Sequence, residues 1–226
     1  MRDKFIGDSL DMSKGAVLAL LACHGLPTLV CPLPATAEFD FGLYSRVLGI
    51  SSPHILFDPP ALRFRGQQRN QYLKALGQYL AKTPPAARGV ALLDPDKGLC
   101  EGPPSNLFLR IGEVVTLARH HHSCTFAIYH HKNAAKLSYP ILVRKLSEFS
   151  AFAYDFGAAA LLFMGAEQNA VHRILKIIRG SLNPARVMDA GIQSMEQSPT
   201  VCASLPPQAR FTPGGGHKKG MHNGGS

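Results

Sequence analysis

The sequence predicts an α/β domain built on a mainly parallel sheet with helices on both faces. Three observations lead there. Short apolar runs recur at 28–33, 54–57, 89–94, 125–130 and 157–164. Between them lie stretches with apolar residues at helical spacing, at 9–25, 66–82, 105–121, 133–152 and 168–182. Most of the short runs are apolar throughout rather than alternating, as strands covered on both faces are.

The elements follow in order. SLDMSKGAVLALLACHG (9–25) has helical spacing and stops at Gly25, a residue suited to a C-terminal cap. TLVCPL (28–33) is a strand bounded by prolines, and 34–53 is irregular with a short helix around FGLYSRVLG. HILF (54–57) is a strand stopped by Asp-Pro-Pro. GQQRNQYLKALGQYLAK (66–82) is amphipathic, with Tyr72, Leu73, Leu76, Tyr79 and Leu80 on one face. GVALLD (89–94) is a buried strand. SNLFLRIGEVVTLARHH (105–121) reads as a helix capped by Ser105, and TFAIYH (125–130) as a strand. NAAKLSYPILVRKLSEFSAF (133–152) reads as mostly helix, with Pro140 starting or kinking it. GAAALLFM (157–164) is a strand and QNAVHRILKIIRGSL (168–182) a helix. The expected organisation is one α/β domain over 1–185. Residues 186–226 are rich in Pro, Gly and Ser and are expected to form a largely disordered tail.

The chain has 226 residues, 46% of them hydrophobic, enough to build a packed core. Its formal net charge is +9, and +6 of that belongs to residues 1–199, because Arg210, Lys218 and Lys219 lie beyond with no acid beside them. A basic body favours a polyanionic partner, with nucleic acid ahead of a membrane surface. Cysteines at 23, 31, 100, 124 and 202 form no Cys-x-x-Cys pair, which argues against a zinc site or a disulfide framework. The opening MRDKFIGDSLD is charged, unlike a secretory signal, and AVLALLAC (16–23) is too short to span a bilayer. The expectation is a soluble, cytoplasmic protein without a membrane partner.

Ligands of open parallel sheets bind beyond the carboxyl ends of the strands, and three polar clusters fall at or beside those ends. In GDSLDMSKG (7–15), Asp8, Asp11 and Lys14 stand three apart and share a helical face. In LLDPDKG (92–98), Asp94 and Asp96 follow an apolar strand and can hold a divalent cation or accept from an amine, while Gly98 permits a tight backbone. In YHHKN (129–133), Tyr129, His130, His131 and Lys132 close the next strand, and an imidazole there can act as acid, base or ligand. RHHHS (119–123) reads as an exposed helix end. LFDPPALRFRGQQR (56–69), with Arg63, Arg65 and Arg69, reads either as a phosphate-contacting loop or as a proline turn with solvated arginines.

Taken together, GDSLDMSKGAVLALL, VALLDPDKGL and AIYHHKN resemble a family of uncharacterised bacterial proteins with a GDxxDxxK opening, a DPDxG centre and a Tyr/Gln-His close. That layout is similar, more distantly, to the bacterial 23S rRNA adenine-N6 methyltransferases. The resemblance covers roughly residues 5–135. It implies a Rossmann-like, methyltransferase-like fold and S-adenosylmethionine as cofactor. Lys14, with Asp11 near it, matches the lysine beside the methyl donor. Asp94 and Pro95 match the first two positions of Asp-Pro-Pro-Tyr, where the Asp accepts from the adenine amino group. Asp96 and Lys97 stand where proline and tyrosine belong, so the stacking aromatic is absent. The turn after the first strand, LVCPLPATAEFD, has two prolines and no glycine, though Glu38 or Asp40 is placed to meet a ribose. Two further readings stay open. One is a Mg²⁺-dependent nuclease, with Asp94 and Asp96 as ligands and His130 or Lys132 at the scissile phosphate. The other is a nucleic-acid-binding protein that has kept the sheet and lost the chemistry.

Overall fold

The computed structural model describes residue 6 and residues 9–36, 38–59, 62–83, 89–132 and 137–189. All belong to the compact unit Met1–Ser194. The elements run α1 (Ser9–Cys23), β1 (Thr28–Leu33), α2 (Phe41–Leu48), β2 (Ile55–Leu56), α3 (Gln68–Lys82), β3 (Val90–Pro95), β4 (Gly98–Cys100) and β5 (Phe108–Arg110). They continue with α4 (Ile111–His120), β6 (Thr125–His131), α5 (Tyr139–Lys145), β7 (Ser150–Asp155), β8 (Ala159–Gly165), α6 (Gln168–Ser181), a 3-10 turn (Pro184–Arg186) and β9 (Val187–Asp189).

Seven strands form one sheet in the order β2-β1-β3-β6-β8-β7-β9, and β4 and β5 make a separate two-stranded sheet. Half of the large sheet is parallel: β2, β1, β3 and β6 pair in the same direction. The other half is antiparallel, through β6–β8, β8–β7 and β7–β9. The expectation of a mainly parallel sheet therefore holds for one half. In the other half, only Phe156, Gly157 and Ala158 join β7 to β8, far too few for a parallel crossover. Gly157 takes φ +103 in that turn, and its N–H donates to Asp155 Oδ1 at 2.6 Å.

Helices cover both faces, as expected. The α1 face packs Val17, Leu18 and Leu21 of α1, Tyr44 and Leu48 of α2 and Ile174 and Ile178 of α6 on the sheet. The α3 face packs Tyr72, Leu76 and Leu80 of α3, Val114 of α4 and Leu142 of α5. Each fully buried Leu or Phe contributes roughly 1.5–3 kcal/mol.

Three segments depart from the reading of the sequence. Ser105 does not cap a helix: its Oγ accepts from Leu107 N–H at 3.2 Å, and Phe108–Arg110 are strand before α4 begins. The helix expected over 133–152 is confined to Tyr139–Lys145, with Pro140 in its first turn, and Ser150–Asp155 are strand. Its start, 133–136, lies outside the described residues. The strand expected over 89–94 runs one residue further, with Pro95 paired to Leu33 as the last residue of β3. Ordered strand continues to Asp189, and the expected tail from residue 190 on lies outside the described residues. No helix among the described residues is long and apolar enough to cross a membrane.

The topology singles out one place. β1 lies between β2 and β3. The chain leaves β1 through α2 to β2 on one side, then returns through α3 to β3 on the other. Open α/β sheets bind ligands outside the strand ends at such a reversal. Asp94 stands there, opposite Pro32 of β1.

Candidate functional site

The site begins with a charged stripe on α1. Positions 11, 14, 18 and 21 share a helical face, so the stripe that buries Leu18 and Leu21 also carries Asp11 and Lys14 against the sheet. On β3 the side chains alternate, and Asp94 falls on the same face as Leu92. Lys14 Nζ lies 2.6 Å from Asp11 Oδ1 and 2.7 Å from Asp94 Oδ2, although Lys14 and Asp94 are 80 residues apart in the chain. Lys14 and Asp11 are each 2% exposed and Asp94 is fully buried.

Two tyrosines complete the cluster. Tyr129 of β6 presents its ring to Lys14, with Nζ 4.4 Å from the centroid. Tyr44 of α2 donates its hydroxyl to Asp94 Oδ2. The sequence makes α2 readable, since Asp40 caps it by accepting Leu43 N–H at 2.7 Å and Gly49 ends it at φ +64. Gly15 brings α2 close: a Cβ there would lie 3.2 Å from the Leu48 carbonyl. No local pattern announces that Tyr44 meets Asp94.

Burial pulls the Lys14 ammonium down, but the charges of Asp94 and Asp11, with hydrogen bonds to both, outweigh it and hold the group above its ordinary value. Burial first, and then the Asp94 charge and hydrogen bond, push the Tyr44 phenol well up. The cluster is therefore an ammonium between two carboxylates, with a neutral phenol as second donor to Asp94. One atom is left over. Asp94 Oδ1 is buried without a hydrogen-bond partner among the described residues, while Oδ2 takes both donors. An unmet buried acceptor costs roughly 1–3 kcal/mol, and such atoms are rare enough to call for an explanation. Beside the Lys14 stem, a void of about 10 Å³ bordered by Val17, Leu18 and Thr28 has room for one water at most. A larger ligand must reach Asp94 from the strand ends.

The other sequence candidates lie elsewhere. His130 neighbours Tyr129 on β6, so it faces the opposite side of the sheet. Its Nδ1 accepts from Leu99 N–H at 2.9 Å and its Nε2 donates to the Leu137 carbonyl at 3.1 Å. Burial, opposed by that carbonyl, lowers its pKa. With both ring nitrogens engaged, the imidazole braces β4 against β6. This also explains Gly98, which takes φ +112 and whose Cβ would lie 2.3 Å from His130 Nδ1. Asp96 is half-buried beyond the end of β3, and Glu38 is exposed in the turn before α2. Asp8 lies outside the described residues. Among the described residues, no group of three or more His, Cys, Asp or Glu is placed to hold a metal ion, so Asp94 and Asp96 do not form part of one.

The residues at the end of β1 do not fit S-adenosylmethionine. Residues 26–41 contain no glycine. Pro32 and Pro34 supply no N–H. Their carbonyls are engaged as well, by the Tyr72 hydroxyl and by Phe64 N–H at 2.9 Å. Two of the positions at the end of β1 therefore offer no backbone donor to a ligand.

No protein-family model and no curated protein sequence matches the chain.

Proposed function

We propose that this is a nucleic-acid-associated protein with a methyltransferase-like fold, binding its partner at the carboxyl ends of β1, β3 and β6 without transferring a methyl group. One observation carries the reading: Lys14 and Asp94, the two residues through which the chain resembles the adenine-N6 methyltransferases, meet at 2.7 Å across 80 residues of sequence. The vacant acceptor Asp94 Oδ1 suits a donor such as the exocyclic amino group of a base. The basic body favours a polyanion. Against methyl transfer stand the two prolines and missing glycine at the end of β1 and the missing aromatic after Pro95. Against a magnesium nuclease stands the finding that, among the described residues, Asp94 belongs to no group of three or more His, Cys, Asp or Glu placed to hold a metal ion.

The test is a titration of the full chain with a labelled single-stranded oligonucleotide, with S-adenosylmethionine and with Mg²⁺. The oligonucleotide binds at low salt and is released as salt rises. Asp94→Asn keeps the shape but turns one acceptor into a donor, and binding drops about tenfold or more while the fold survives. Binding of S-adenosylmethionine would restore the methyltransferase reading, and binding of Mg²⁺ the nuclease reading. A chain that binds no oligonucleotide overturns the proposal.

A further inference from the structure

Three exposed cations mark three successive strand ends. Arg65 belongs to a loop pinned to the end of β1, where Phe64 N–H donates to the Pro34 carbonyl at 2.9 Å. Lys97 stands in the short turn between β3 and β4, and Lys132 directly follows β6. Hydrogen bonds donated by backbone N–H groups tie these positions into one ribbon. Gly66 N–H donates to Asn106 Oδ1 at 3.0 Å, Lys97 N–H to the Leu107 carbonyl at 2.8 Å, and His131 N–H to the Lys97 carbonyl at 3.2 Å. Lys132 N–H then reaches the Ala158 carbonyl at 3.0 Å. The three side chains are exposed and make no ion pair or hydrogen bond among the described residues. Some other charges are committed: Lys145 pairs with Glu101 at 2.7 Å, and the Asp155 carboxylate accepts Gly157 N–H. Two further acids lie at the strand ends: Asp96, half-buried beside Lys97, and Asp58, exposed two residues past β2. Arg63 lies over the Phe41 ring at 5.4 Å. The exposed acids Glu38 and Asp40 lie on the segment entering α2.

We infer that Arg65, Lys97 and Lys132 form a phosphate track across the ends of β1, β3 and β6 that carries a single polynucleotide strand past Asp94. This deepens the proposed function and rests on it. Neighbouring strand ends are about 4.8 Å apart, so the ribbon sets cations at short intervals on a scaffold held by backbone hydrogen bonds. The strand is single because Asp94 lies below the rim, where a base still paired in a duplex cannot reach. Lysine and arginine on such a path contact phosphates regardless of sequence, while Asp94 supplies the base contact.

The experiment compares the salt dependence of binding to a single-stranded oligonucleotide for the parent and for the triple variant Arg65→Gln/Lys97→Gln/Lys132→Gln. Each phosphate that the variant no longer neutralises makes the slope of log K against log salt shallower by about 0.7, so the triple variant's slope falls by about 2. Its thermal midpoint stays with the parent's, since none of the three side chains has a partner among the described residues. Lys74→Gln/Lys176→Gln, two exposed cations on α3 and α6, serves as control and keeps the parent slope. A parent that binds and a triple variant that keeps its slope overturn the track and leave the proposed function standing. A parent that binds no oligonucleotide overturns both.

Discussion

Arg69 on the α3 face and Lys14 on the α1 face are both nearly inaccessible, at 3% and 2% exposure, but their surroundings differ in one respect. Arg69 Nε donates to Glu113 Oε1 at 2.9 Å, and Nη2 to Glu113 Oε2 at 2.5 Å and to the Phe108 carbonyl at 2.9 Å. Nη1 donates to the Ser105 carbonyl, and the guanidinium lies 4.0 Å from the Phe64 ring centroid. Glu113 in turn takes Arg110 N–H at 2.8 Å. Every nitrogen of the guanidinium and both carboxylate oxygens have a partner, and the pair clamps α3 to the start of α4. Around Lys14 the ammonium is satisfied, but its partner Asp94 keeps one oxygen vacant. A buried charge network that closes completely is a fastener, whereas one that stops an atom short has an opening for something else.

The largest effect expected is from Lys14→Met. It removes the cation between two buried carboxylates, and stability falls by about 3–5 kcal/mol in denaturant unfolding. A smaller loss would mean that water reaches Asp11 or Asp94, and the contrast between the two faces would weaken. Arg69→Met comes next. Glu113 is less deeply covered, at 17% side-chain exposure, so the loss is about 2–3 kcal/mol. At a temperature where this variant stays folded, oligonucleotide affinity is unchanged. A fall in affinity beyond the loss of folded protein would give Arg69 a part in binding and end its description as a fastener.

The smallest effect comes from two neutral counterparts, again one per face. His54 accepts from Thr28 N–H at 3.1 Å and donates to the Leu18 carbonyl at 2.8 Å, as His130 does between Leu99 and Leu137. Burial lowers both pKa values below the ordinary 6.5. Between the folded value and 6.5 the unfolded chain binds more protons, so stability rises with pH in that window and is lost as pH falls below 6.5. Melting midpoints recorded from about pH 8 down to about pH 5 show the fall, and His130→Gln makes it shallower. A midpoint that does not move through this range would mean that acid protonates both rings alike in the folded and the unfolded state.

The parallel half of the sheet is legible because β1, β3 and most of β6 are apolar throughout, and β1, β2 and β3 end at or just before Pro or Asp. The antiparallel half is less so: SAFAYD places apolar residues on both faces but is short enough to pass for the end of a helix. Both buried cations announce themselves by the same sign, a charge on an apolar helical stripe. Asp11 and Lys14 precede Leu18 and Leu21 on α1, and Arg69 precedes Tyr72, Leu76 and Leu80 on α3. The sign shows that a charge is buried but not what meets it. Tyr44 lies 50 residues from Asp94 and Glu113 lies 44 from Arg69, and only the fold brings them together. Strict alternation along β6 already sends Tyr129 and His130 to opposite faces, so only one of them can join a site with Asp94.

The strand lengths have a consequence outside the site. The five inner strands have six or seven residues each, while the outermost, β2 and β9, have two and three. An edge strand is a row of unpaired donors and acceptors on which a second chain can template itself. At the β2 border, such a chain would gain only a few backbone hydrogen bonds before reaching non-extended structure. The order that places β1, β3 and β6 in the interior thus leaves little purchase for edge-to-edge aggregation along β2, even though Ile55 is exposed there.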